Sequence, residues 1–320
     1  MTRRAVVLGA GGFIGSHLCR RLTGSGWTVT AVVRHAGATH VRRRLSGLPD
    51  RLRLVEGDAA DEDLLAAVVD GADAVFPFAG RSGAAASMVE PSADLDANGR
   101  GQLVLLDVLR RRNPAARVVF PGSRLQYGRC EWLPVGEDHP QRPLCIYGTH
   151  KALGEQYHRL YWRVYGLPTT VLRISNPYGP QQERPDGAFG LVGTFISRAA
   201  QGRPIQLYGG GGQLRDYVYV EDLCCLIELA ATVPAAVGQA FNAGGPERTT
   251  VRGMAEAVLE TVGRGGLHDA PWPELEEAVE TGDYVSDHRR ARDLLGWEPQ
   301  VTLAEGLART WASLAPRLAS

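Results

Sequence analysis

Two textures divide the chain. Over its first 175 residues, short apolar runs alternate with segments whose apolar residues recur at helical spacing. The runs at 5–8, 28–33, 52–55, 74–79, 117–121 and 169–174 are rich in valine and bounded by Gly, Pro or Asp. Several are apolar throughout instead of alternating, the pattern of strands covered on both faces. Between them the spacing predicts helices over 13–23, 61–69, 95–112 and 147–165. Strand–helix alternation of this kind builds an α/β fold with a doubly wound parallel sheet. Its right-handed crossovers put ligands at the carboxyl ends of the strands.

After Asn176 the pattern loosens. A loop rich in Pro and polar residues follows, and Gly209 to Gly212 form an uninterrupted glycine run. Helices are expected over 191–201, 220–231, 251–262, 289–295 and 303–314, with short strands at 205–208 and 239–242. The division expected is a dinucleotide domain over 1–175 and a smaller α+β substrate lobe over 176–320, partly interleaved with it.

Composition removes several classes. The 320 residues carry 35 basic and 35 acidic side chains, so no global basic field speaks for nucleic acid as a partner. No apolar stretch reaches the ~18 residues of a membrane span. The apolar run near Met1 is broken by Gly9, Gly11, Gly12 and Gly15 and does not read as a secretory leader. Five cysteines form an odd set without a C-x-x-C pair, which points to a reducing cytoplasm and away from a disulfide framework or a zinc site.

The segment 6–16 places a strand, a glycine turn and a helix start in order. Gly9 permits the tight turn, Gly12 lets backbone approach a diphosphate, and Gly15 lets the helix pack closely. Phe13 and Ile14 open the helix, whose free N–H groups suit an anion. The pattern alone is common in a chain with 39 glycines. Its position, directly after the first apolar strand, is what makes it a Rossmann-type signal for NAD or NADP. Asp58 ends the third strand unit and could accept from an adenine amino group; the alternative is a helix cap. The second strand ends without an acid, and Arg34 follows it, a residue suited to the 2′-phosphate of NADP. The alternative is a solvated arginine.

Of the 35 basic residues only Lys151 is lysine. Codon bias accounts for the 34 arginines but not for the position of the exception. Tyr147 lies four residues upstream, on the same face of a predicted helix. A tyrosine used as a base near neutral pH must shift by about three pKa units, roughly 4 kcal/mol. An ammonium and an oxidised nicotinamide both favour that shift, and a compact ammonium can hold ribose hydroxyls where a planar guanidinium is differently directed.

With these motifs the chain resembles the extended short-chain dehydrogenase/reductases, in their nucleotide-sugar epimerase and dehydratase branch. The resemblance runs over nearly the whole chain. It includes the glycine turn, Asp58, the 76–80 strand end with Ala79, Asn98, Ser123 in the segment 120–128, and Tyr147 with Lys151. It continues through the segments 173–180, 215–222 and 294–299. It implies that Ser123 bonds the reacting sugar oxygen, Tyr147 moves the proton, and Lys151 tunes Tyr147 and holds the ribose. It further implies that Asn98 supports the cofactor and that Asn176 and Arg215 contact the sugar and diphosphate. Leu191 would line the base, while Arg81, Ser82 and the loop at 181–186 would face the sugar; Arg184 could meet either a carboxylated sugar or only solvent.

The departures matter as much. The 4,6-dehydratases of the branch carry an Asp-Glu pair after the hydroxyl residue; here stand Arg124 and Leu125, which cannot perform acid/base elimination. His150 replaces a usual serine and is expected to be neutral packing. Pro77 replaces a usual histidine. The leading expectation is therefore a nucleotide-sugar epimerase acting at C4 through a transient ketone. The runner-up is an NADPH-dependent 4-keto-sugar reductase, favoured by Arg34, and a non-catalytic dinucleotide-binding protein is the minor alternative. A homodimer pairing helices 95–112 and 147–165 is also implied. Tyr157, Leu160, Tyr161 and Val164 form a stripe that serves either that interface or a monomer's core.

Overall fold

The computed structural model describes residues 2–182 and 190–318. Its first strands are β1 (Arg4–Leu8), β2 (Thr28–Val33), β3 (Leu52–Glu56), β4 (Ala74–Pro77), β5 (Arg117–Ser123) and β6 (Thr169–Ile174). Then come β7 (Asn176–Tyr178), β8 (Pro204–Tyr208), β9 (Leu214–Tyr219), β10 (Ala240–Ala243), β11 (Arg248–Thr250) and β12 (Gly266–Ala270). The first helices are α1 (Phe13–Gly24), α2 (Thr39–Leu45), α3 (Glu62–Val69), α4 (Ala84–Val89), α5 (Pro91–Leu95), α6 (Gly101–Arg112) and α7 (Ile146–Tyr165). The later ones are α8 (Leu191–Ala200), α9 (Val220–Thr232), α10 (Val251–Val262), α11 (Glu274–Ala278), α12 (Arg289–Leu295) and α13 (Leu303–Leu318).

Seven strands form one sheet in the order β10-β6-β5-β4-β1-β2-β3. Every pairing in it is parallel. β4 and β6 are buried along their whole length, β4 as an uninterrupted apolar run and β6 with Thr169, Thr170 and Arg173 buried within it. β3 lies at the edge, where Arg53, Leu54 and Glu56 are exposed. The order reverses between β1 and β4, so a crevice opens at their carboxyl ends.

The chain crosses between layers late. Leu223, Cys224, Leu226 and Ile227 of α9 share a core with Leu18, Cys19 and Leu22 of α1. β10 then pairs with β6, Ala240 opposite Val171. A second core joins Phe195 and Ile196 of α8, Met254 and Val258 of α10 and Leu307 of α13 to Tyr178, Tyr217 and Tyr219. Two small sheets, β11-β9-β7 and β12-β8, carry this part.

Two expectations shift in register. The helix expected over 95–112 is divided: α5 and α6 flank a π-helical turn, Asp96–Arg100, in which the Gly101 N–H reaches back to Asp96 O. A single inserted residue leaves the apolar period nearly intact, so periodicity does not show it. The strand expected over 74–79 stops at Pro77, because the Phe78 N–H folds back onto Phe76 O at 3.0 Å.

Candidate active site

The glycine turn occupies the switch-point crevice. Gly9 has φ +80°, and a Cβ there would lie 2.5 Å from Ala79 N, so only glycine lets the β1 turn meet the chain leaving β4. A Cβ on Gly15 would lie 2.3 Å from Gly9 O. Gly12 is different: its nearest would-be neighbour is Gly9 O at 3.1 Å, and the residue is exposed. Space therefore remains above Gly12. It caps α1 without a side-chain hydrogen bond, and the helix has no acid in its first turn. Those are the conditions for an anion at a helix N-terminus. Phe13 and Ile14 are half-buried beside it. Buried Arg44 braces the turn, donating to Gly11 O at 2.8 Å and to Gln181 O at 2.9 Å.

Other expected dinucleotide contacts ring the same crevice. Arg34 is exposed just beyond β2. Asp58 is exposed and accepts from Ala60 N at 2.8 Å, while the cap of α3 is Asp61. Ala79 is half-buried at the crevice floor. Asn98 rides the π turn; its Nδ2 donates to Arg81 O at 3.2 Å and its Oδ1 is buried without a partner. A Cβ on Gly80 would lie 2.6 Å from that oxygen.

The reaction wall stands at the carboxyl end of β5. Ser123 closes the strand, its hydroxyl accepts from Leu125 N at 3.2 Å, and the same hydroxyl acts on the Tyr147 phenol. Tyr147 is anchored by its own N–H, which donates to Ser87 Oγ at 2.9 Å. Lys151 is 6% exposed, and its Nζ donates to Pro121 O at 2.9 Å. That nitrogen lies 5.7 Å from the centre of the Tyr147 ring. Burial pushes the Tyr147 phenol up to about 12, with the Ser123 hydrogen bond pulling the other way. Burial likewise pushes Lys151 down to about 8, opposed by the Asp94 carboxylate. Without added positive charge the phenol is thus an acid near neutral pH; acting as a base requires a cation beside it.

Behind the wall lies a buried polar frame. The Ser123 N–H donates to Gln126 Oε1 at 2.7 Å, and Gln126 Nε2 donates to Glu155 Oε2 at 2.7 Å. Arg173 meets Glu155 through two hydrogen bonds. Its Nη1 donates to the Tyr127 hydroxyl, which donates onward to Asn242 Oδ1.

On the far side of the cleft, Asn176 holds two partners. Its Nδ2 donates to Asp216 O at 2.9 Å and its Oδ1 accepts from Arg124 Nε at 3.2 Å. Arg215 is 3% exposed and committed to Leu214 O, Gly282 O and Glu280. Arg81 is exposed and paired with Glu90. Leu191 opens α8 with 42% exposure. Arg184 and most of the loop at 181–186 lie outside the described residues. Among the described residues no three His, Cys, Asp or Glu side chains gather into a metal-holding cluster, and no helix is long and apolar enough to cross a membrane.

Sequence reasoning missed several residues. His150 is not neutral packing: its Nδ1 lies 2.7 Å from Oδ1 of Asp94, a carboxylate 2% exposed that also acts on Lys151. Asp94 gave no signal, because one acid in a short helix reads as solvated surface. Glu56 was missed as well. Its Oε2 accepts from Ala36 N at 3.0 Å, putting an acid from β3 beside the loop after β2.

Residues 5–244 match the model of the NAD dependent epimerase/dehydratase family. A UDP-glucose 4-epimerase of Mycolicibacterium smegmatis is 31% identical over 96% of this chain and 97% of its own length. The UDP-glucose 4-epimerase of Thermotoga maritima, solved with UDP-glucose, is 30% identical and superposes with a TM-score of 0.88, covering 98% of this chain and 99% of that one. DesIV of Streptomyces venezuelae, a dTDP-glucose 4,6-dehydratase solved with NAD, is 29% identical with a TM-score of 0.87, covering 98% and 97%. The fold, the glycine turn and these likenesses agree: the chain is an enzyme of the NAD dependent epimerase/dehydratase family, within the nucleotide-sugar branch of the extended short-chain dehydrogenase/reductases.

Proposed function

We propose that the enzyme is an NAD(P)-dependent nucleotide-sugar 4-epimerase. One observation carries the reading: Ser123, Tyr147 and Lys151 converge at the end of β5, while the two positions after Ser123 hold Arg124 and Leu125. No carboxylate stands at those two positions to drive elimination of water, so the dehydratase chemistry of DesIV lacks its acid and base.

In this reading the diphosphate of the dinucleotide lies over Gly12 and the α1 N-terminus. Lys151 holds the ribose next to the nicotinamide, with Asn98 and Ala79 at the crevice floor and Asp58 toward the adenine. When bound, the dinucleotide supplies a hydride acceptor for the first step and a hydride donor for the last. Ser123 holds the oxygen on C4. Tyr147 takes the hydroxyl proton as the C4–H bond breaks, leaving a 4-keto sugar. The sugar turns, and Tyr147 returns the proton to the oxygen as the new C4–H bond forms on the other face. Asn176 faces the sugar and Leu191 lines the base, while Arg215, held by Leu214 O, Gly282 O and Glu280, lends its charge to the diphosphate side of the cleft.

The test is product analysis with UDP-glucose and no added reductant. Formation of UDP-galactose without loss of water and without net NAD(P)H consumption is expected. One-for-one NADPH oxidation with a 4-keto sugar, and no epimer in its absence, would establish the reductase. Arg34 favours that second reading because it suits NADP.

The active form is read as a cytoplasmic homodimer. Leu160 and Val164 of α7 and Leu103 of α6 are exposed, whereas Tyr157 and Tyr161 pack inward against α6 and α3. The stripe thus has an inner half serving the core and an outer half for a partner copy.

A further inference from the structure

Arg124 is a cation held beside the reaction wall without a carboxylate of its own. It follows Ser123 directly. Its Nε donates to Asn176 Oδ1 at 3.2 Å and its Nη1 to Thr281 Oγ1 at 2.9 Å. Its guanidinium carbon lies 5.7 Å from the centre of the Tyr284 ring. These neutral partners fix the guanidinium plane. Nη2 makes no hydrogen bond among the described residues. Neither nearby acid bonds it: Glu280 pairs with Arg215, and Asp216 accepts through Oδ2 from the N–H and hydroxyl of Ser286, its Oδ1 being buried without a hydrogen bond. Burial pushes Arg124 down to about 10, and Arg215 pushes the same way. A guanidinium so placed calls for an anion from the ligand.

A nucleotide sugar has two places to carry that anion. The diphosphate leaves from C1, across the ring from C4. A carboxylate at C6 hangs from C5, next to C4. Ser123 faces the oxygen on C4, and Arg124 is its immediate neighbour, so adjacent residues would read adjacent substituents. We propose that the preferred substrate is a nucleotide-linked uronic acid and that Arg124 is the residue that binds its carboxylate. This rests on the reading that Ser123 and Tyr147 act at C4.

The experiment is calorimetry on the intact enzyme with UDP, UDP-glucose and UDP-glucuronate, for the wild type and the R124M and R124K variants. UDP-glucuronate is expected to bind about 10- to 100-fold more tightly than UDP-glucose, the span of a charge-assisted hydrogen bond. R124M should erase that ratio while changing UDP affinity little, and R124K should keep part of it. If R124M does not fold, R124K and the wild-type ratio still decide. Equal wild-type affinity for the two sugars, binding of neither, or an R124M loss as large for UDP as for UDP-glucuronate would overturn the proposal. Turnover separates it from the underlying reading. Selective, Arg124-dependent binding without epimer formation would overturn only the epimerase, and equal kcat/KM for both sugars would overturn only the uronate.

Discussion

Glu155 and Arg173 form a two-pronged ion pair behind the reaction wall, with Arg173 Nη2 2.6 Å from Oε1 and Nε 2.9 Å from Oε2. Both side chains are sealed, at 0% and 3% exposure. The pair is the far end of the chain of contacts that runs through Gln126 to the Ser123 backbone. It stabilises the fold and sets the position of a reacting group through the same bonds.

Removing one partner should therefore cost more than removing both. Arg173→Met is expected to destabilise by about 3 kcal/mol, because it leaves the buried carboxylate with only the more exposed Arg159 as a charged partner. Replacing Glu155 with Leu in the same chain should recover part of that loss. Denaturant melts of the two variants check this; a double variant weaker than the single would defeat it.

The same pair predicts an acid limb. Burial pushes Glu155 up, but Arg173 and Arg159 outweigh it and bring the carboxyl to about 2, below its ordinary 4.5. A depressed carboxyl stabilises above the unfolded value and loses that contribution as pH falls through the folded one. Stability should thus decline between about pH 4.5 and 2 by about 3 kcal/mol from this group. Glu155→Gln should flatten that part of the stability–pH curve.

How far the sequence reached follows from which signals are local. Apolar runs and the glycine turn announced β1, β4 and the switch-point crevice, because burial on both faces leaves no polar alternation, and β6 was legible from its β-branched and apolar residues despite Arg173. Tyr147 and Lys151 were legible because four residues of helix bring them to one face. The frame behind them was not. Gln126, Glu155 and Arg173 lie on three elements, and nothing in their spacing says that β5, α7 and β6 press them together. Glu56 and Asp94 escaped for the same reason, since an acid shows its function only once its neighbour in space is known.

Glu56 changes what Arg34 can be expected to do. Arg34 offers a cation to a 2′-phosphate, while the Glu56 carboxylate beside Ala36 N offers an acceptor to a 2′-hydroxyl and repels a phosphate. Arg34→Ala should weaken NADP binding by about 10-fold and NAD binding far less, as befits one exposed charge contact. Glu56→Gln should act in the opposite sense, tightening NADP. Fluorescence titration with both reduced cofactors measures each ratio. An R34A variant with an unchanged NADP/NAD ratio would remove Arg34 from the site.

Asp94 supplies a pH test of the reaction wall. Its buried carboxylate holds the Lys151 ammonium against desolvation, and Lys151 still falls to about 8. If the ammonium is required, kcat should drop as pH rises through about 8. Asp94→Asn withdraws the supporting charge, so the alkaline limb should move to lower pH. Tyr147→Phe should instead lower kcat at every pH by about 10²–10⁴-fold, the size of general acid–base catalysis, without moving a limb. A pH–rate series on the three proteins separates the two roles.

Lys151 itself should be a destabilising residue retained for chemistry. Its folded pKa of about 8 lies below the ordinary 10.5. Between those values the unfolded chain binds more protons, so stability rises with pH from about 8 to 10.5, and below 8 the full penalty applies. At pH 7 that penalty is about 3 kcal/mol, partly offset by the hydrogen bond to Pro121 O, worth about 1 kcal/mol. Lys151→Met is comparable in length and uncharged. It should raise stability by about 2 kcal/mol at pH 7, abolish the alkaline rise in stability, and eliminate turnover. Lys151→Arg should retain the charge and lose activity as well, because a planar guanidinium does not fit a space shaped for a compact ammonium. Melts at pH 7 and at about 9.5 beside a turnover assay decide the matter. A Lys151→Met variant that is both inactive and less stable would show that the ammonium belongs to the architecture and not to the reaction.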